Sequence, residues 1–466
     1  MIPRRLYAPF LALALLGPAP APADAPAPTR LSEAALWLQQ YLRIDTTNPP
    51  GREQRAAAFL AGILHREGIN TRTLVSPQGR TSLWARLAAP GSNGRAILLL
   101  HHTDVVPAGP GWTVPPFAGL VRDGRLWGRG AVDDKSLGIA QLAAFVSLKR
   151  RKVPLARDVI YLAVADEENG GGQGVGWLMQ QHPNLFKGVE GVVGEGGRAQ
   201  VSGDGRILWW GIEVAQKRPL WLRVTTFGRG GHGSGLNPES ANHQLVTGLA
   251  RLLAKPVRWR VTPPARDYLH AIAPLHTDPL RKTLSRIDQV ITPTGPKEFL
   301  LPGMANLFVN SVQVTVLDGG EKINVIPDRA QALLDVRLLP DTDSTIFLAE
   351  IRKALGDACQ VEVLVTSPPA APSPAAGPVW DALSRALATS APVVPTFVPG
   401  FTDSRYFRER RIAAYGITPF ALAGEDLRGI HGPDERIPLA ELDRGVERVR
   451  QVVELYAGRK AGTAVR

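Results

Sequence analysis

The stretch Ala96-Ile97-Leu98-Leu99-Leu100-His101-His102-Thr103-Asp104 decides the fold class. Its apolar run is short and continuous, which suits a strand buried on both faces. The chain then turns polar within one residue. Side chains alternate along a strand, so His102 and Asp104 share one side and His101 points away. Outward from this strand, helical and strand patterns alternate. Helices are predicted over Ser32 to Arg43 and over Arg52 to Glu67, the second closed by Gly68. Strands are predicted over Ile69 to Val75 and Ser82 to Leu87, then helix Lys135 to Lys149 and strand Asp158 to Ala165. The alternation predicts an α/β fold with a central, mostly parallel sheet.

Near residue 216 the pattern changes. Strand Leu220 to Phe227, helix Glu239 to Ala254 and strands Leu307 to Val316 and Ala330 to Leu338 come next. Helix Thr342 to Leu355 and strand Gln360 to Val365 complete the set. A β-α-β-β-α-β succession is that of a ferredoxin-like α+β unit. The Pro-rich residues 256–305 interrupt it as an excursion with no predicted element. Beyond a Pro/Ala linker, Pro368 to Pro378, helix Val379 to Thr389 resumes the first pattern. The expected organisation is a larger domain in two parts, residues 30–216 and 367–466, with a smaller domain, residues 217–366, inserted between them.

With 466 residues and 44% hydrophobic content, the chain can bury a sizeable core. The single cysteine, Cys359, excludes an intrachain disulfide framework and any cysteine-based zinc ribbon. A bound metal would have to be held by His, Asp and Glu. The net charge of +12 raises nucleic acid as a partner. The basic runs, Lys149 to Lys152 and Arg408 to Arg411, have no interleaved aromatics and no accompanying motif, so no nucleic-acid partner is expected. At the N-terminus, Arg4 and Arg5 precede the apolar Leu6 to Leu16, and Ala21-Pro22-Ala23 offers a cleavage site. Residues 1–23 are therefore read as a signal peptide and the protein as exported, periplasmic or secreted, with no stable membrane span after processing.

Acids and histidines recur where strands give way to loops. Asp133 and Asp134 end the loop that begins at Gly128. Asp166-Glu167-Glu168 closes the apolar strand Val159 to Val164, and Glu195 follows Gly191 to Val193. His431 lies in a loop far downstream. Consecutive acids at the mouth of a buried strand repel one another and call for a compensating positive charge. Adjacent glutamates can divide the work, one binding metal and one moving protons. His102, Asp133, Glu168, Glu195 and His431 form a ligand set that suits two zinc ions sharing a carboxylate bridge.

In this order the motifs resemble those of the M20 family of metallopeptidases, over nearly the whole chain beyond the leader. They are Thr47 to Gly51, His102 to Pro107, Gly128 to Lys135, Asp166 to Glu168, Gly194-Glu195, Gly231-His232, Asn324 to Pro327 and His431-Gly432. Trp112 to Phe117 and Trp127 to Gly130 are most similar to the carboxypeptidase S and N-acyl-amino-acid hydrolase branch. The resemblance implies a zinc-peptidase-like catalytic domain with an inserted lid. His102 and Glu195 would hold one Zn2+, Glu168 and His431 the other, with Asp133 bridging. Co2+ or Mn2+ could occupy the same ligands. Asp104 would orient His102, and Glu167 would carry a proton from water to the leaving amine. His232 would stabilise the oxyanion, in some relatives from a partner subunit, which implies a homodimer through the lid. Asn324, Arg337, Gly400 and Arg405 match substrate-contacting positions. The family pattern is departed from at Ser136, often Gly, and in the long 256–305 excursion.

The implied reaction is hydrolysis of an amide beside a free carboxylate, in a small peptide or an N-acyl amino acid. Peptidase and deacylase both stay open, as does an exported binding protein on the same fold. A dinucleotide site at Gly228-x-Gly230-x-x-Gly233 lacks its acid, because Ser240 to Arg266 contains neither Asp nor Glu.

Overall fold

The computed structural model describes residues 30–301 and 303–459. The expected leader, residues 1–23, lies outside the described residues. Strand Ala96–His102 is buried at every position. It pairs in parallel with Asp158–Val164 on one side and Val189–Gly194 on the other. Among the described residues the sheet has nine strands, and its parallel centre passes to antiparallel partners at Thr81–Leu87 and Thr71–Val75. At the other end it continues through Ala414–Gly416 and Ile207–Gln216 to the edge strand Val393–Val398. Helices Glu33–Leu42, Glu53–Arg66, Lys135–Arg150, Pro378–Leu387 and Leu439–Ala457 build the main core on one face. A smaller core containing Leu98, Leu162, Met179 and Phe407 covers the other.

Local chemistry explains the helix ends. Ser32 caps its helix by accepting from the Ala35 N–H. Gly68, at φ +65°, ends the second helix as expected. Its N–H donates to His65 O and that of Ile69 to Leu64 O, the paired bonds of a Schellman closure. Helix Lys135–Arg150 lies so close to the sheet that a Cβ at Gly138 would sit 2.2 Å from the His101 ring.

The smaller sheet is antiparallel, in the order Ser311–Asp318, Arg329–Leu338, Arg218–Phe227, Gln360–Thr366. This is the ferredoxin-like arrangement. Helices Ala241–Leu253 and Ser344–Leu355 cover one face through Leu245, Leu249, Ile351 and Leu355. Along Arg329–Leu338, burial alternates strictly. Ala330, Ala332, Leu334, Val336 and Leu338 enter this core. Asp335 and Arg337 therefore project from the opposite face.

Residues 256–305, expected to lack regular structure, instead form helices Pro263–Ile272, Leu280–Ser285 and Ile287–Val290. Here proline starts a helix: Pro263 follows Thr262 at the first helical position, where a missing N–H costs nothing. Ala265, Leu269 and Ile272 pack on Trp209, Val394 and Phe397, covering the edge strand of the large sheet. Phe308 and Leu339, from the chain around the smaller sheet, join the same core. No helix among the described residues is long and apolar enough to cross a membrane. Leu269 is fully buried, so Leu269→Ala should lower stability by roughly 2–5 kcal/mol in urea unfolding. A neutral result would mean the segment is a detachable loop.

Candidate metal centre

The cluster forms where the parallel strands end. Strand Ala96–His102 delivers His102, and strand Val189–Gly194 delivers Glu195 at its exit. Asp166 follows strand Asp158–Val164 after one residue, and Glu167–Asn169 is a single 3-10 turn. His102 Nε2 lies 2.9 Å from Asp133 Oδ1 and 3.9 Å from Glu195 Oε1. His431 Nε2 lies 3.1 Å from Asp133 Oδ2 and 3.4 Å from Glu168 Oε2. Asp133 thus stands between the two imidazoles, one oxygen toward each. Single ligand atoms of His102, Glu167 and Glu195 fall within 4.8 Å of one another, as do those of His102, Asp133 and Glu168.

The surrounding contacts hold these groups in register. His102 Nδ1 is 2.9 Å from the carbonyl oxygen of Asp104. A carbonyl only accepts, so Nδ1 carries a hydrogen and Nε2 is left to face the acids. The Asp104 carboxylate, expected to orient His102, is 3.7 Å from Nδ1 and serves elsewhere. It accepts from Asn48 Nδ2 at 2.8 Å and from the N–H groups of Glu167 and Glu168 at 3.2 Å each. Asp166, at φ +74°, accepts from Arg80 Nη1 and the Gln173 N–H, at 2.9 and 2.8 Å.

Glu435 is the functional residue not singled out in the sequence. It is fully buried. Its carboxylate accepts from the N–H groups of Gly130, Val132 and Asp133 at 2.7–3.0 Å, and from Arg129 Nη1 at 2.7 Å. Arg129 Nη2 also donates to Gly432 O at 2.9 Å. One ion pair therefore ties the Asp133 loop to the His431 loop. The available signal was an acid four residues after His431 and an arginine between the two glycines of the Gly128 loop.

The electrostatics suit a bound cation. Burial raises Glu195 well above the usual carboxylate range, and repulsion from Glu167 adds to it. Burial also raises Glu168, whose Oε1 is buried without a hydrogen-bond partner. Burial alone would lower His102, but its bond to Asp133 and the charges of Glu195 and Asp134 outweigh this and raise it well above its ordinary value. Hydrogen bonds to Asp133 and Glu168 push His431 up to about 10. A bridging carboxylate, an oriented imidazole lone pair and an orphaned carboxylate oxygen fit divalent cations.

A cleft of about 470 Å³ opens over the cluster. Asp133, Glu167, Glu168, Glu195 and His431 form its floor, while Trp221, Asp335, Arg337, Gly400 and Phe401 stand around it. Arg337 is paired bidentately with Asp335, at 2.6 and 2.9 Å, and lies over the Phe401 ring. Five expected site residues do not line this cleft: His102 and Asp104 are buried beneath its floor, and His232, Asn324 and Arg405 lie elsewhere. His232 is exposed on a two-residue ribbon opposite Val325, and its Nδ1 meets Ser234 Oγ at 2.8 Å. Asn324 lies beside that ribbon, its carbonyl accepting from the Gly233 N–H. Arg405 is buried behind Phe401, donating to Gly170 O and to Tyr406 Oη.

Glu435→Gln would place an amide NH2 among backbone N–H donors. We expect metal affinity to fall by about 10–100-fold in competition with a chromophoric chelator, with the far-ultraviolet circular dichroism unchanged.

Comparison with known proteins gives these observations a lineage. Human aminoacylase-1 is 29% identical over 421 residues, covering 88% of this chain and 91% of that one. The succinyl-diaminopimelate desuccinylase of Methylorubrum extorquens is 28% identical over 436 residues, covering 90% and 97%. Among solved structures, the M20 family metallo-carboxypeptidase Sso-CP2 from Sulfolobus solfataricus superposes with a TM-score of 0.69 at 20% identity, covering 91% and 99%. The family model for peptidase family M20/M25/M40 matches residues 98–455, and the chain belongs to that family of hydrolytic enzymes.

Proposed function

We propose that the protein is a metal-dependent hydrolase of N-acyl amino acids, releasing the amino acid and a carboxylic acid. The observation that carries this reading is the meeting of Asp133, Glu168, Glu195 and His431 on the floor of a cleft walled by Trp221, Phe401 and Arg337, with His102 buried just beneath Asp133. The relation to aminoacylase-1 favours acylated amino acids over peptides. The aromatic wall suits an apolar acyl or side-chain group, and Arg337 offers a cation for the free carboxylate. That carboxylate must compete with Asp335 for the guanidinium.

His102 and Glu195 would hold one ion, Glu168 and His431 a second, with Asp133 shared. Zinc suits this donor set, and cobalt or manganese could replace it. When bound, such a pair supplies Lewis-acid activation of water and of the amide carbonyl. The chain itself moves the proton. Burial holds Glu167 well above the usual carboxylate range, and repulsion from Asp403 and Glu168 adds to it. A carboxylate so raised accepts a proton from water and returns it to the departing nitrogen. Asp104 fixes where Glu167 stands through its N–H. Export is part of the proposal and rests on Arg4, Arg5 and the apolar Leu6 to Leu16.

His232 is exposed and does not line the cleft of its own chain. We assign it to the site of a second copy, because Leu236 and Ile323 on the same lid tip are almost wholly exposed, at 99% and 103%.

Glu167→Ala should retain bound metal by mass spectrometry and lose about 10²–10⁴-fold in turnover of N-acetyl amino acids. Near-normal turnover would remove Glu167 from the mechanism. Mixing inactive His232→Ala and Glu167→Ala proteins should restore activity if His232 acts across a dimer. A mixture that stays inactive would confine His232 to its own chain.

A further inference from the structure

Strand Ile207–Gln216 of the large sheet passes through Lys217 directly into strand Arg218–Phe227 of the smaller one. The chain returns from strand Gln360–Thr366 through Ser367. Both crossings line one small pocket of about 20 Å³, together with Arg405 and Arg408, under the exposed Pro368, Ala371 and Pro372. Arg218, Arg405, Arg408 and Ser367 are each 3–6% exposed.

Of these cations, Arg408 is neutralised. It donates bidentately to Glu213, at 2.6 and 2.7 Å. Arg218 and Arg405 are not. Arg218 gives its Nη groups to the carbonyls of Ser367 and Thr342, and Arg405 gives Nη2 to Gly170 O and Tyr406 Oη. Among the described residues no carboxylate lies within 4.0 Å of either guanidinium. Asp341, Asp343 and Glu409 act on Arg218, and Asp403 and Glu409 on Arg405, only from farther away. Arg218 Nε, Arg405 Nε and Nη1, and Ser367 Oγ are buried with no hydrogen-bond partner.

Four unused donors and two guanidinium groups with no carboxylate in contact, beside one pocket, suit a bound anion, although Asp403 Oδ2 and Glu409 Oε1 are also buried nearby without a partner. The volume sets the anion's size. A pocket of this volume holds one water-sized occupant, which is the size of a chloride ion rather than of free sulfate or phosphate. We propose that the cavity is a halide site, in which a single chloride held by Arg218, Arg405 and Ser367 joins the two chain crossings between the sheets. Arg405 then serves the junction as well as, or in place of, the substrate.

The test is thermal unfolding of the full chain at constant ionic strength, with sodium gluconate replaced stepwise by chloride or bromide. Unfolding temperature should rise saturably by a few degrees with either halide. Ser367→Ala should move the half-saturating concentration up several-fold, and Arg218→Gln should abolish the response. Crystals soaked in bromide should show an anomalous peak between the two guanidinium groups. An unfolding temperature indifferent to the choice of anion, or a cavity filled by water or by the Glu409 carboxylate, would overturn the proposal. Because neither readout involves turnover, this outcome is independent of the proposed reaction.

Discussion

The site depends on where the Asp104 carboxylate spends its hydrogen bonds. It is fully buried and accepts from Asn48 and from two consecutive backbone N–H groups, those of Glu167 and Glu168. The same residue's carbonyl takes the His102 Nδ1 hydrogen. One aspartate therefore sets the imidazole tautomer and the position of both glutamates. The turn it anchors begins at Asp166 in the left-handed region, which costs a non-glycine residue roughly 1–2 kcal/mol. Arg80 and the Gln173 N–H, both bonded to the Asp166 carboxylate, offset that cost. The acids can be crowded at the strand ends because their backbone is fixed from beneath, away from the cleft.

A second constraint works from the other side. Asp133 and His431 lie on loops flanking the paired strands Arg125–Trp127 and Arg436–Pro438. Glu435 and Arg129, both fully or almost fully buried, join them through a charge-assisted pair and three backbone N–H groups. Removing one member of such a pair leaves its partner's charge buried alone, which costs more than the pair contributes. The cleft's upper wall is positioned more simply. Strand alternation along Arg329–Leu338 buries every second residue and presents Asp335 and Arg337 over the cluster.

Local signals in the sequence were reliable where physics is local. Gly68 marked its helix end, and the uninterrupted apolar run Ala96 to Leu100 marked a strand buried on both faces. The β-α-β-β-α-β order predicted the topology of the smaller sheet. The five candidate ligand positions were legible because each sits at a strand end or glycine-flanked loop, and the fold brings their side chains close to one another. Ile207–Gln216 was overlooked because its Trp209-Trp210 pair and its neighbours give no clear alternation. Proline content hid helix Pro263–Ile272, since composition does not tell a helix-opening proline from a breaking one. The placement of His232, Asn324 and Arg405 was not legible at all. It depends on how two sheets meet, and no short stretch of chain encodes that.

The helical segment 256–305 has a consequence for how the molecule comes apart. Its core takes Trp209, Val394 and Phe397 from the large sheet, and Phe308 and Leu339 from the chain around the smaller one. The lobes therefore share apolar mortar as well as two chain crossings. Loss of either sheet would expose Leu269, Ile272 and Phe308 to water at once. Cooperativity should extend across the whole molecule, with a single melting transition for two architectures that elsewhere could melt apart.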